Sequence, residues 1–98
     1  MKKLNSKNIL EKIEMEKTKL KKRGVKKIGI FGSYVKGKQR KNSDIDILIE
    51  FEKIDADNFF YVLFLLERIF KKKIDLVIEK DLKPELKYVK KEAKYVKI

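Results

Sequence analysis

Gly32 and Ser33, followed after ten residues by Asp44-Ile45-Asp46, are by type and spacing the residues of this chain best suited to chemistry. Glycine lets the backbone turn sharply and approach a phosphate with no Cβ in the way, and serine adds a hydroxyl donor. Carboxylates at positions i and i+2 of a strand share one face, where they can hold a divalent cation. Asp75, in the next apolar run, adds a third acid if its strand lies beside theirs. This combination suits phosphoryl and nucleotidyl transfer, in which the triphosphate must be aligned and its developing charge neutralised. Two ions about 3.5 to 4 Å apart can do both. Asp44 and Asp46 would bridge them, and Asp75 would complete the site nearest the attacking oxygen.

These residues need elements to position them. Val25 to Phe31 carries Ile28 and Ile30 at period two and stops at Gly32, which predicts a strand entering a turn. A short helix beginning near Tyr34 and ending at Gly37 would turn its leading amides toward an anion, with Lys36, Lys38 and Arg40 adding positive charge. Asp44 to Phe51 reads as a second strand, with Ile45, Ile47 and Ile49 on one face and Asp44, Asp46 and Leu48 on the other. Lys73 to Ile78 reads as a third. Helices are expected over Ser6 to Lys22, capped by Gly24, and over Asn58 to Phe70, with N-caps on offer from Asp55 and Asp57. Phe59, Val62, Leu63, Leu66 and Phe70 form the apolar face of the latter, and Phe60, Phe64 and Leu65 widen it, so that part of it is expected to face a partner. Pro84 suits the first turn of a final helix carrying Leu86 and Val89, while residues 93–98 are too few to classify. Tyr88 and Tyr95 are read as packing residues rather than base-stacking platforms.

Composition limits the chemistry further. The 98 residues suit one domain, 1–98, since a core this small does not divide in two. Histidine and cysteine are both absent, so any metal must be held by oxygen, which favours Mg²⁺ or Mn²⁺ over zinc. The same absence excludes catalysis by either residue. The start of the chain, Met1 to Lys7, has no apolar signal core, and the longest apolar stretch, Phe59 to Leu66, is too short to span a bilayer. A cytoplasmic protein without a membrane contact is expected. The formal charge of +12 would attract polyanions, but lysines on solvated helical faces explain it as well, and no aromatic-basic motif favours nucleic acid.

Taken singly, the glycine turn and the strand acids have ordinary structural readings. Together, Gly-Ser-x₁₀-Asp-x-Asp would arise in a chain of this length roughly once in a thousand random cases. Phe31-Gly32-Ser33-Tyr34-Val35-Lys36-Gly37, followed by Ser43-Asp44-Ile45-Asp46-Ile47-Leu48-Ile49, resembles the signature of the polymerase-beta-like nucleotidyltransferase superfamily. The brevity of the chain matches the superfamily's minimal branch. Ile74-Asp75-Leu76-Val77 is similar to the segment that carries that branch's third carboxylate, and the similarity extends to Leu82-Lys83-Pro84-Glu85-Leu86.

The resemblance implies an α/β (α+β) fold, a small mixed sheet with helices on one side. It implies ATP held by Gly32 and Ser33, and two Mg²⁺ ions held by Asp44, Asp46 and Asp75. Minimal members commonly serve as antitoxins in type VII-like pairs, moving AMP from ATP to a tyrosine of a HEPN-domain ribonuclease toxin. One departure is Lys36, where the family often has arginine; lysine keeps the charge but loses the two-pronged grip of guanidinium on phosphate. Two rival readings are a silent antitoxin acting by occlusion and a transferase using a nucleic-acid acceptor.

Overall fold

The structure, a computed structural model, describes residues 4–98. Met1 to Lys3, part of the start read above as having no apolar signal core, lie outside them. The chain runs α1 (Ser6–Met15), α2 (Lys17–Lys22), β1 (Val25–Phe31), α3 (Ser33–Lys36), β2 (Ile45–Phe51), α4 (Ala56–Phe70), β3 (Ile74–Ile78), two 3₁₀ turns (Glu79–Asp81 and Pro84–Leu86), α5 (Val89–Glu92) and β4 (Lys94–Lys97). Asn5 caps α1 by accepting from the Asn8 amide at 2.9 Å. Asp55 caps α4 by accepting from the amides of Asp57 and Asn58. The expected helix over Ser6 to Lys22 is broken at Glu16, whose amide donates to Ile13 at 2.9 Å, so the bonding tightens by one residue there. Gly24, at φ +82°, ends the second piece as expected.

The four strands form one mixed sheet in the order β3-β2-β1-β4. β2 is antiparallel to β1 and parallel to β3, with α4 as the crossover between β2 and β3. Residues 93–98 are not an undefined tail, since β4 pairs antiparallel with β1. Gly29 admits it: a Cβ there would stand 2.5 Å from the Lys94 carbonyl oxygen and 2.7 Å from Tyr95 Cδ1. A side chain would push the edge strand away.

One face of the sheet buries Ile28, Ile30, Ile45, Ile47 and Ile49 in a core shared with Ile9 and Ile13 of α1, Leu20 of α2 and Val62, Leu65, Leu66 and Phe70 of α4. Those four are the side chains that α4 buries, Val62 and Leu66 fully; Phe59 and Leu63 are only partly covered. Phe60 and Phe64 face outward, 49% and 61% exposed, with their rings stacked at 6.0 Å. No helix among the described residues is long and apolar enough to cross a membrane.

The opposite face carries Gly29 and Phe31 of β1, Asp46 and Leu48 of β2, and Asp75 and Val77 of β3, as their register requires. Part of it is covered by residues 79–92, which bury Leu82 and Val89. The single helix expected after Pro84 is instead a 3₁₀ turn followed by the short α5, because the bonds from Leu86 to Lys83 and from Lys87 to Pro84 span three residues rather than four.

Glu79, 8% exposed, ties this cover to the sheet. Its carboxylate accepts from Lys27 Nζ at 3.3 Å and from the Tyr95 hydroxyl at 3.5 Å, and lies 3.5 Å from Lys90 Nζ. Burial, followed by the charge of Glu79, pushes the Tyr95 phenol up to about 12. Glu79→Ala leaves these partners uncompensated and is expected to cost about 2 kcal/mol, seen as a fall in Tm of roughly 10 °C. Absorbance titration should then show Tyr95 ionising earlier, closer to 10. Unchanged Tm and titration would refute this account of the cover.

Candidate active site

β1 delivers the chain to Gly32, whose φ of +75° and ψ of −146° suit only glycine. A second constraint coincides with the first. A Cβ at Gly32 would lie 3.0 Å from Asp46 Cγ and inside contact distance of Asp46 Oδ2. The turn is therefore seated directly against the carboxylate. α3 follows as one helical turn, in which the amides of Val35 and Lys36 both donate to the Gly32 carbonyl, at 3.1 and 3.2 Å. Ser33 and Tyr34 hold the leading amides, which a first turn leaves without an intrahelical acceptor. Tyr34 is buried, fixing this turn to the core, and Gly37, in the left-handed region at φ +69°, closes it. The short helix thus has the limits expected for it.

Asp46 lies on β2 and registers with Asp75 on β3. Registered residues of a parallel pair present their side chains to the same face, so the two acids meet. Asp44 stands one residue before β2 and is exposed, as is Asp75, while Asp46 is half-buried. Burial raises the Asp46 carboxyl to about 6, helped by the charge of Asp75, by a hydrogen bond with it, and by the charge of Asp44. Asp46 therefore feels the charge of both other acids.

Among the described residues, no group of three acids is drawn together tightly enough to form a ready-made metal cluster. Asp46 and Asp75 are paired, and Asp44 is coupled to Asp46 by charge alone. Like charges hold such groups apart until a cation turns repulsion into attraction. An all-oxygen donor set whose central member is lifted first by burial and then by neighbouring acids fits Mg²⁺ or Mn²⁺.

Beside the turn opens a cleft of about 450 Å³, walled by Gly32, Lys36 and Asp75 on one side and by the cover segment on the other. Asp44 and Asp46 are not on its wall. Lys36 Nζ stands 3.8 Å from Glu92 Oε2, an exposed ion pair across the cleft. Lys38 and Arg40 are exposed, and the Arg40 amide donates to Ser43 Oγ at 2.7 Å, so that this loop is folded on itself. Tyr95 packs over Gly29 as expected. Tyr88 does not pack: it is 52% exposed on the cleft wall. The cover segment is the part of the site that the sequence did not reveal, because Pro84 read as the start of one helix rather than as a turn shaping a wall.

The family model for the nucleotidyltransferase domain matches residues 10–97. A Thermococcus cleftensis protein named protein adenylyltransferase MntA is 41% identical over 71 residues, covering 70% of this chain and 72% of that protein. A Methanocaldococcus jannaschii protein, provisionally named a protein adenylyltransferase, is 49% identical over 51 residues, covering 51% of this chain and 59% of its own. The match thus spans under two thirds of the second relative. Among solved structures, one provisionally named a minimal nucleotidyltransferase superposes with a TM-score of 0.80 at 25% identity, covering 96% of this chain and 98% of the other. A chain of a toxin-antitoxin solved with AMP-PNP gives 0.65 at 26% identity, covering 84% and 70%. A glycine turn seated on an acid-bearing strand, a match over nearly the whole sequence and a shared mixed sheet agree, and the chain belongs to the nucleotidyltransferase domain family, in its minimal, polymerase-beta-like branch.

Proposed function

We propose that residues 1–98 act as a single-domain protein adenylyltransferase, an antitoxin that moves AMP from ATP to a tyrosine of a HEPN-domain ribonuclease toxin. The observation that carries the reading is the contact of the Gly32 turn with Asp46, itself in register with Asp75. Phosphate-approaching backbone and paired acids meet at one point. The MntA name of the relative and the AMP-PNP of the solved toxin-antitoxin support adenylyl transfer beside a toxin. Phe60 and Phe64 offer apolar surface for a partner.

Asp44, Asp46 and Asp75 are the residues that would hold two Mg²⁺ ions. When bound, Mg²⁺ supplies neutralisation of the triphosphate and acidification of the acceptor hydroxyl. Gly32 lets the triphosphate approach the backbone, and Ser33 donates to it from hydroxyl and amide. Lys36 leaves Glu92 to counter phosphate charge, at little cost for an exposed pair. The acceptor oxygen forms a bond to the α-phosphorus while the bond from that phosphorus to the departing pyrophosphate breaks. Asp75, exposed and in register with Asp46, would help take the hydroxyl proton.

Mg²⁺ should raise the Tm of the wild-type protein, because a ligand bound only by the folded state stabilises it by about 2.7 kcal/mol at a hundred times its Kd. Chelation should reverse the shift and abolish transfer of label from α-labelled ATP to the toxin. Transfer that persists in excess chelator would contradict the reading.

A further inference from the structure

The cleft has more wall than phosphates and acids use. Beyond Gly32, Lys36 and Asp75, it is lined by Leu82, Leu86 and Tyr88 of the cover segment. Leu86 is 40% exposed and Tyr88 52% exposed, so apolar surface is left open beside the phosphate turn. Among the described residues, the Tyr88 ring meets no other ring and no cation. Tyr95, by contrast, lies over Gly29 with Lys27 Nζ 4.5 Å from its centroid. The two tyrosines therefore differ in kind: one packs, and the other presents a free face.

We propose that Leu82, Leu86 and Tyr88 seat the nucleobase of the bound triphosphate, with the Tyr88 ring as the stacking platform. This rests on the nucleotide reading given above. The cleft is continuous from Gly32 to Tyr88, and its volume of about 450 Å³ suits one small ligand rather than a nucleotide together with a peptide. A base has two faces and an apolar rim, which a phenol ring and two leucines can cover without reading a hydrogen-bond pattern. A purine, with the larger face, should bind more tightly than a pyrimidine. In this arrangement the cover segment supplies the base site from within the minimal chain.

The test compares ATP with inorganic tripolyphosphate, each with Mg²⁺, by calorimetric titration of wild type, Tyr88→Leu and Tyr88→Trp. Tyr88→Leu should weaken ATP about tenfold or more and leave tripolyphosphate unchanged, because only the base is deprived of its platform. Tyr88→Trp should retain ATP affinity. It also introduces the chain's only tryptophan, whose emission ATP should quench and tripolyphosphate should not. ATP affinity within twofold of wild type in Tyr88→Leu overturns the proposal. Equal weakening of both ligands overturns it too, by assigning Tyr88 a structural role. If wild type binds neither ligand, the underlying nucleotide reading fails, and the base site fails with it.

Discussion

Asp46→Asn is expected to lower AMP transfer by at least about 10³-fold while making the metal-free protein more stable. The loss follows from the proposed chemistry, since Asp46 is the acid in contact with the Gly32 turn and coupled to both other acids. Removing one electrostatic contact to a reacting group commonly costs 10²- to 10³-fold, and Asp46 would serve two ions. The gain in stability follows from its pKa. The carboxyl lies at about 6 in the fold against 3.8 as a model value, so the folded state binds the proton more tightly than the unfolded chain. Stability due to this group is greatest below pH 4, falls as pH rises from about 4 to 6, and is fully lost above 6. Asparagine carries no charge to desolvate. The variant should therefore be more stable at pH 7 to 8 by about 1 to 2 kcal/mol after solvent screening, with the advantage vanishing near pH 4. Calorimetry across that range checks this, and Mg²⁺ should stabilise only the wild type. A variant less stable at pH 8 would sink the argument. An antitoxin acting purely by occlusion gives no reason to keep an acid where it destabilises the fold.

Gly32→Ala should damage the site by a different route. Alanine would have to adopt a backbone conformation costing about 1 to 3 kcal/mol, with its methyl group driven against the Asp46 carboxylate. Turn and acid must then separate. We expect a loss of about 3 kcal/mol in stability and at least a hundredfold fall in kcat/KM, since displacements of about 1 Å at a reacting centre have that effect. Gly37→Ala isolates the backbone contribution. It sits at φ +69° with open space around its Cβ position, so it should cost about 1 kcal/mol and retain most activity. Equal losses of activity in the two variants would mean that the contact with Asp46 does not matter.

What was legible in the sequence is what the backbone dictates locally. Gly32 and Gly37 mark positive-φ positions, and period two put Asp46 opposite the isoleucine face of β2. The run containing Asp75 was apolar enough to be a strand, but its place beside β2 was left open by the sequence and comes from the parallel pairing across the α4 crossover. What could not be read depends on contacts between distant segments. The break at Glu16 involves no glycine or proline. β4 is four residues long and exists because β1 offers Gly29 to it, while the clue, a glycine within a strand, lies far from the segment it admits. The cover segment is fixed by Glu79 reaching Lys27 and Tyr95, and the pairing of Lys36 with Glu92 depends on that cover. Phe60 and Phe64 were included in a broad apolar face, and only packing separates them from Leu65 and Leu66 beneath.

The proposed function stands on Asp44 and Asp46 serving transfer of AMP rather than the fold. Its most direct test follows label from α-labelled ATP to the cognate toxin, using wild type and the double variant Asp44→Asn with Asp46→Asn at matched folded concentration. Wild type should label the toxin and the double variant should not label it above background, although that variant remains folded and bound to its partner. Labelling by the double variant at the wild-type rate would contradict the proposed function.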